Sequence, residues 1–174
     1  MKKGNIKTIT LTAMFAALIA VTTAFIKVPI GINEGYIHFG DSMIYLAGCF
    51  LGPYTAIAAA VGGALADVLA GAPAWAFPTA IIKVCNSVPF IIATAIYVKR
   101  KNTHKIIHLS TALMTLVSGL ITVLGYYLAE GLLYSFASAW ISAPFNIVQA
   151  VGSAIVFILV GCALDAVKIQ RLLK

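Results

Sequence analysis

The chain has 174 residues, of which 61% are hydrophobic and 10% are charged, and its mean hydropathy is +1.01. A soluble domain carries about 25% charged residues, so this composition excludes one and predicts an integral membrane protein. The net charge of +7 would suggest nucleic-acid binding in a soluble protein. Here the basic residues flank apolar segments, where anionic lipid headgroups attract them, and nucleic acid is therefore excluded as a partner.

Ten of the twelve Lys and Arg residues fall into three clusters that separate long apolar segments. Basic residues beside membrane spans stay on the cytoplasmic side, so the clusters predict which connections face the cytoplasm. In chain order they are Lys2, Lys3 and Lys7; Lys99, Arg100, Lys101 and Lys105; and Lys168, Arg171 and Lys174.

Five apolar segments are predicted to be membrane-spanning helices, since a crossing needs about 20 mostly apolar residues. The first resembles a signal peptide, but it is longer than a signal h-region of roughly 7 to 15 residues, and we expect it to remain as a span. The segments run from Thr8 to Val28, Pro53 to Ala70, Pro78 to Val98, Ile106 to Ala129 and Ala143 to Val167.

A sixth apolar segment, Ser42 to Gly52, is too short for a full crossing. If residues 42 to 71 formed one kinked helix, the first two basic clusters would lie on opposite sides of the membrane. A turn at Gly52-Pro53 places all three clusters inside, and Gly then Pro suits the end of one helix and the start of the next. We therefore predict one all-α membrane domain over residues 1 to 174, with six transmembrane helices, a short second helix and both termini cytoplasmic.

The outer connections in this topology run from about Pro29 to Gly40, Gly71 to Phe77 and Glu130 to Ser142. The three cysteines lie in separate apolar segments without a CxxC or Cys/His spacing, so the sequence predicts no disulfide, metal or other cofactor. These are Cys49, Cys85 and Cys162.

The first helix carries a stripe of small residues that lets another helix approach closely. The stripe is equally compatible with packing inside this chain and with contact to a partner protein. It consists of two overlapping pairs four residues apart, Ala13 with Ala17 and Ala16 with Ala20.

Polar and ionisable side chains inside spans are costly to bury and therefore mark candidate functional sites. Side chains three and four residues apart share one helix face, and several such pairs fall near the predicted outer surface, beside aromatic residues of the outer connections. The predicted substrate-binding set is Tyr36, His38, Asp67, Trp75, Lys83, Asn86, Tyr126, Glu130, Asn146 and Gln149.

A pocket with charges of both signs, amides and aromatic faces suits a small polar heteroaromatic molecule. We expect Trp75 and Tyr126 to flank its ring and the charged and amide groups to bond its edge. An ion pore is not expected, because a pore needs a polar lining through the whole membrane.

Structural alternatives exist for several of these residues. Lys83 and Glu130 would also fit an ion pair, and Asp41 is expected to cap the second helix, where a carboxylate satisfies unpaired amides. Aromatic residues gather at membrane interfaces as anchors, which is an alternative for Trp75, Tyr134 and Trp140.

The order and spacing of several motifs resemble the substrate-binding S components of energy-coupling factor (ECF) vitamin transporters. Among these, the chain is most similar to members associated with hydroxymethylpyrimidine or pyridoxine-type substrates. The motifs are His38-Phe39-Gly40-Asp41-Ser42, Leu51-Gly52-Pro53, Gly62 to Asp67, Gly71, Pro78-Thr79, Ile82-Lys83, Glu130 and Pro144 to Gln149.

The resemblance implies a six-helix fold, a binding site near the extracellular side and a lid from the first outer loop. It also implies a transmembrane coupling protein and two cytoplasmic ATPases as partners, with the stripe of Ala13, Ala16, Ala17 and Ala20 docking on the coupling protein. The chain has no GxxxxGK[ST] phosphate loop, so ATP hydrolysis is expected from those partners.

The leading hypothesis is thus a vitamin-capture subunit without enzymatic activity. One alternative is a stand-alone proton-coupled carrier that uses Asp67 and Glu130. Another is a small intramembrane enzyme built on Lys83, Asp67 and His38, although no metal spacing or nucleophile–base signature supports it.

Overall fold

The computed structural model describes residues 3–101 and 105–169 of the chain. Within them it forms six α-helices, a two-stranded antiparallel hairpin and one 3-10 turn, Pro73–Trp75. Of the basic clusters, Lys2, Arg171 and Lys174 lie outside the described residues. The elements are α1 (Lys3–Ala24), β1 (Lys27–Pro29), β2 (Tyr36–His38), α2 (Gly40–Phe50), α3 (Tyr54–Ala70), α4 (Ala76–Lys101), α5 (Leu109–Leu133) and α6 (Phe136–Ala166).

Four helical stretches are long and apolar enough to cross a membrane: Ile6–Ala24, Pro73–Arg100, Leu109–Leu133 and Phe136–Ala166. Helix α3 is apolar but has 17 residues, and α2 has 11. The predictions of an all-helical membrane protein, six helices and a short second helix are confirmed for the described part of the chain.

The predicted break between α2 and α3 is also confirmed. Gly52 has a φ of 55°, in the left-handed region that glycine adopts without steric penalty. Pro53 follows at the N-cap of α3 with a φ of −59°. Residues 42 to 71 are therefore two helices joined by a tight turn.

Two predicted boundaries are wrong. The first apolar segment leaves the helix after Ala24, and its end, Lys27–Pro29, pairs with Tyr36–His38 as a hairpin. The predicted connection from Glu130 to Ser142 is mostly helical, because Ser135 caps α6 by accepting a hydrogen bond from the Ser138 amide at 3.2 Å. Helix α6 thus begins at Phe136, and its Pro144 lies inside the helix.

The short helix α2 lies at the centre of the bundle, where it packs against α1, α3, α4 and α6. Most of its side chains are buried, so protein rather than lipid surrounds it. In its second turn the Tyr45 ring stacks on Phe90 of α4, with centroids 4.5 Å apart, and meets the edge of Phe157 of α6 at 5.8 Å.

The small-residue stripe on α1 is divided by its packing. Ala16 and Ala20 are buried against α3, and a Cβ at Gly62 would lie 2.6 Å from the Ala16 carbonyl oxygen. Ala13 and Ala17 are exposed on the outer face of the helix. Packing within the chain therefore accounts for Ala16 and Ala20. Of the stripe that is predicted to contact a partner protein, only Ala13 and Ala17 remain exposed for that contact.

The hairpin is tied to the end of the bundle where α3 stops. Its register pairs Lys27 with His38 and Pro29 with Tyr36. The Lys27 ammonium donates to the Ala70 carbonyl at 2.9 Å, and it lies 5.0 Å from the centre of the Tyr36 ring. These contacts hold the hairpin beside the end of α3.

Candidate functional site

A cleft opens between the hairpin and the bundle, with a volume of about 520 Å³ when the space open to solvent is included. Its lining comes from residues 30 to 38, from α3 to α6 and from the 3-10 turn. Eight of the ten predicted substrate-binding residues line it: Tyr36, His38, Asp67, Trp75, Tyr126, Glu130, Asn146 and Gln149.

On the hairpin side, Tyr36 and Asp67 form a polar pair. The Tyr36 hydroxyl donates to Asp67 Oδ1 at 2.5 Å. Burial, aided by the neighbouring carboxylate, raises the pKa of Tyr36, so the phenol keeps its proton and remains the donor. The other carboxylate oxygen, Asp67 Oδ2, is buried and has no hydrogen-bond partner among the residues that the structure describes.

The second hairpin residue in the cleft is a neutral histidine. His38 is buried, and its Nδ1 accepts a hydrogen bond from the Gly40 amide at 3.1 Å. Burial, together with the positive charge of Lys83, lowers the pKa of His38 to about 3. Because Nδ1 is the acceptor, the ring proton lies on Nε2, which makes that nitrogen a donor.

Two hydrogen bonds fasten the tip of the hairpin across the cleft, and a third bond supports one of their acceptors. The Asn33 side-chain amide donates to Glu130 Oε1 at 2.7 Å, and the Ser142 hydroxyl donates to the same oxygen at 2.9 Å. The Trp75 indole donates to the Asn33 carbonyl at 3.0 Å. We call the two bonds of Asn33 the Asn33 latch, because they join the tip to α5 and to the 3-10 turn.

Asn33 was not among the predicted site residues, although the sequence carries a signal for it. The segment Gly31-Ile32-Asn33-Glu34-Gly35 is a glycine-rich turn between two short strands. Asn33 has a φ of 47°, and asparagine is one of the few side chains that adopts this left-handed region readily. A turn residue facing a cleft was therefore a reasonable candidate.

Aromatic side chains form one wall of the cleft. The Trp75 and Tyr126 rings have centroids 5.8 Å apart and an interplanar angle of 56°. A ligand ring held between two others would need about 7 Å, twice an ordinary carbon–carbon contact, so the two residues do not flank a ring in this arrangement. They contact each other and present one continuous apolar surface.

The two tryptophans differ in whether they could act as anchors at the membrane interface. Trp75 is 7% exposed, and its indole bonds within the protein, so it is a wall residue rather than an interfacial anchor. Trp140 is 73% exposed and packs only the edge of its ring near Tyr127, as an interfacial anchor would.

Two predicted residues, Lys83 and Asn86, lie beneath the cleft instead of lining it. Both are fully buried. The Lys83 ammonium lies 2.5 Å from Asp41 Oδ1, so the alternative in which Lys83 pairs with Glu130 is not the one that the structure shows. Asp41 is also not a cap: Phe39 occupies the N-cap position of α2, and Asp41 lies inside the first turn.

The buried ion pair belongs to a polar layer formed by Asp41, Lys83, Asn86, Thr122 and Gln149. Asp41 Oδ2 accepts hydrogen bonds from Gln149 Nε2 at 3.3 Å and from the Thr122 hydroxyl at 3.4 Å. The Asn86 amide in turn donates to Thr122 at 2.6 Å. A buried charge pair is tolerated only where further hydrogen bonds satisfy it, and this layer supplies them.

The polar layer contacts the cleft through two residues. Gln149 belongs to both the layer and the cleft lining. The Lys83 ammonium lies 5.0 Å from the centre of the Tyr126 ring, a cation–π contact. Lys83 therefore contacts the cleft lining through Tyr126 and, by way of Asp41, is linked to Gln149, without lining the cleft itself.

Comparison with known proteins assigns the chain to a family. The family model described as "ECF-type riboflavin transporter, S component" matches residues 3–166. The chain is also 36% identical over 139 residues to a Pyrococcus woesei protein described as "Uncharacterized protein in gap 3'region", covering 79% of this chain and 88% of that protein. The matched family is a class of membrane transporter subunits and not an enzyme class. The chain therefore belongs to the S components of ECF-type transporters that the riboflavin family model describes.

Proposed function

We propose that this chain is the substrate-capture subunit of an ATP-driven vitamin importer. It binds a small polar heteroaromatic molecule near the extracellular side and delivers it by reorienting against a transmembrane coupling protein energised by two cytoplasmic ATPases. The observation that carries this proposal is the cleft itself, which joins aromatic faces, a carboxylate with an unmet oxygen and a latched hairpin at one end of the bundle.

Two substrate classes compete within this proposal. The description of the matched family names riboflavin, whereas the motif resemblance favours a hydroxymethylpyrimidine or pyridoxine-like compound. Both are polar heteroaromatic molecules that fit a cleft with an aromatic wall and hydrogen-bonding edges. Direct binding measurements therefore decide between the two substrate classes.

The test is titration of the purified full-length chain in lipid nanodiscs with riboflavin, pyridoxine and hydroxymethylpyrimidine, read by calorimetry. We expect saturable one-to-one binding of at least one compound. Trp75→Ala should weaken it, whereas Trp140→Ala, a matched change outside the cleft, should leave it intact. If none of the three binds and mass spectrometry finds no copurifying small molecule, the proposed function is wrong.

We further infer that both termini are cytoplasmic and that the exposed pair Ala13 and Ala17 faces the coupling protein. Their exposure on α1 supports this, since small residues permit close helix approach. Replacing both with Leu should abolish uptake in cells while purified protein still binds ligand. Ala163→Leu, at an exposed alanine of α6, is the matched control.

The same uptake assay separates this proposal from a stand-alone carrier. In liposomes that contain only this chain, we expect no uptake driven by a proton gradient, because energy comes from the ATPases. Accumulation without them, abolished by Asp67→Asn or Glu130→Gln, would instead support a proton-coupled carrier.

A further inference from the structure

Contacts within the protein determine which atoms of the cleft are left to accept hydrogen bonds from a ligand. Asp67 is the clearest case: it lines the cleft, is 4% exposed and receives the Tyr36 hydroxyl on Oδ1. Its Oδ2 is buried and makes no hydrogen bond among the described residues, although the Thr79 hydroxyl, another cleft residue, lies near this carboxylate. Leaving a buried acceptor unsatisfied is unfavourable, so a ligand that donates a hydrogen bond to Oδ2 removes a cost that the unliganded protein carries.

Gln149 is oriented by the polar layer beneath it. A carboxylate can only accept hydrogen bonds, so the contact between Gln149 and Asp41 Oδ2 identifies the Gln149 nitrogen as the bonded atom. The amide oxygen, Gln149 Oε1, is then the group left for the cleft that Gln149 lines. Through Asp41, the buried layer makes this amide a hydrogen-bond acceptor.

The charges around the cleft act in the same direction. Among the described residues that line it, Glu34, Asp67 and Glu130 are acidic and none is Lys or Arg. Lys83 is paired with Asp41 below the cleft, and the Lys27 ammonium bonds the Ala70 carbonyl at the rim. The negative potential of these carboxylates favours positively polarised N–H and O–H groups on a ligand.

We infer that the cleft selects its ligand by hydrogen-bond donors, with Asp67 Oδ2 as the specificity-determining acceptor and Gln149 Oε1 as a second acceptor. This inference rests on the proposed function and deepens it. The substrate class becomes a heteroaromatic ring that bears at least one N–H or O–H donor able to reach Asp67.

The experiment combines the isosteric change Asp67→Asn with ligands that each lack one donor. The flavin set is riboflavin, 3-methylriboflavin, which lacks the ring N–H, and lumiflavin, which lacks the side-chain hydroxyls. If hydroxymethylpyrimidine is the parent that binds, its analogues with a dimethylated amine and with a methyl in place of the hydroxymethyl group replace the flavins. Affinities are measured in nanodiscs for both protein forms.

We expect Asp67→Asn to weaken the parent ligand by about tenfold to a hundredfold, the value of a buried hydrogen bond to a charged group. The analogue that lacks the donor facing Asp67 should bind the wild-type and variant proteins equally. A steric effect of the added methyl group would give a different result, because Asn has nearly the same shape as Asp and the penalty would persist in the variant.

Glu34→Gln provides the matched control, because Glu34 is an exposed carboxylate on the same cleft. It removes a negative charge from the same cleft without touching the buried oxygen, so it should weaken the parent much less than Asp67→Asn does. The affinities of parent and analogues can also be compared on the wild-type protein alone, so a poorly folded Asp67→Asn protein does not prevent the test. In that comparison one analogue must bind at least about tenfold more weakly than the parent.

The inference is overturned if the parent binds but Asp67→Asn leaves its affinity within about threefold, or if both analogues suffer the full effect of the substitution. In that case the proposed function survives. If no parent compound binds the wild-type protein, the proposed function and this inference both fail.

Discussion

Two adjacent layers of the bundle share three helices but are held together differently. The polar layer beneath the cleft joins α2, α4 and α6 through Asp41, Lys83 and Gln149, each with directional partners. One to two turns farther from the cleft, Tyr45, Phe90 and Phe157 join the same helices by ring packing. We call this second group the aromatic layer.

The difference between the layers indicates that one layer holds the helices together and the other orients side chains of the cleft. Ring packing tolerates small shifts, whereas hydrogen bonds to a buried carboxylate fix the direction of a side chain. The polar layer can therefore orient Gln149 and Tyr126 toward a ligand, and the aromatic layer can hold the helices without affecting the ligand. Changes in the first layer should alter both stability and binding, and changes in the second should alter stability alone.

Lys83→Met gives the largest expected effect, because it leaves Asp41 buried without a counter-charge. Breaking a buried pair in this way costs about 3–5 kcal/mol. Thermal unfolding in detergent should show the loss, and the protein that still folds should bind ligand more weakly, since Asp41 no longer holds Gln149 in place.

The double variant Asp41→Asn/Lys83→Met tests the cause. It removes both charges at similar volume, so much of the stability should return. If the double variant is as unstable as Lys83→Met alone, packing around Lys83 and not the orphaned charge is responsible.

Phe90→Ala acts on the aromatic layer and should cost about 3 kcal/mol, because it leaves a cavity between Tyr45 and Phe157. Ligand affinity of the folded protein should stay within about twofold of wild type. Phe77→Ala is the matched control: Phe77 is 76% exposed, and its removal creates no internal cavity. A large loss of affinity in Phe90→Ala would mean that the two layers are not separable.

Acidification should destabilise the folded protein through His38, which lines the cleft. Its folded-state pKa is about 3, below the unfolded value of about 6.5, so its contribution is complete above pH 6.5 and is lost as the pH falls toward 3. At pH 5 the loss is about 2 kcal/mol. The measurement is the unfolding midpoint between pH 7.5 and pH 5.

His38→Gln is the control for this pH dependence, since glutamine can accept the Gly40 hydrogen bond but does not titrate. The burial of His108 also lowers its pKa, which adds a slope of the same sign to both proteins. The difference between wild type and His38→Gln isolates His38. Equal slopes would show that His38 is not the group responsible.

The sequence predicts the helices and most of the cleft residues because both depend on local patterns. Hydrophobic length and the Gly52-Pro53 step define α2 and α3. Polar residues near the ends of the apolar segments, such as Tyr126 and Gln149, identify the cleft. Each of these signals lies within a few consecutive residues.

Which side chains pair with each other, and how far below the cleft each one lies, could not be predicted in the same way. Lys83 and Tyr126 both carry polar groups on apolar helices, yet one lies beneath the cleft and the other lines it. The pairing of Lys83 with Asp41 depends on α2 lying at the centre of the bundle, which the sequence does not encode locally. Trp75 and Tyr126 likewise contact each other only because the 3-10 turn meets α5 in three dimensions.

The smallest expected effect concerns the Asn33 latch, which shares no residue with the polar layer. Asn33→Gly removes the hydrogen bond to Glu130 without straining the backbone, since glycine adopts the φ of 47° freely. The Trp75 bond to the backbone carbonyl of residue 33 remains possible in this variant. We expect the ligand to dissociate about fivefold faster, equivalent to about 1 kcal/mol, with little change in unfolding temperature.

Stopped-flow release of bound ligand measures this effect, and Ser142→Ala separates the two donors to Glu130. Because Ser142 belongs to α6 and not to the hairpin, its loss should disturb Glu130 without freeing the hairpin tip, and dissociation should change less than in Asn33→Gly. If Ser142→Ala accelerates release as much as Asn33→Gly, then the Glu130 carboxylate, and not the tether to the hairpin, controls the exit of the ligand. The cleft would then hold its ligand by contacts on the helices alone, and the polar layer would support retention as well as recognition.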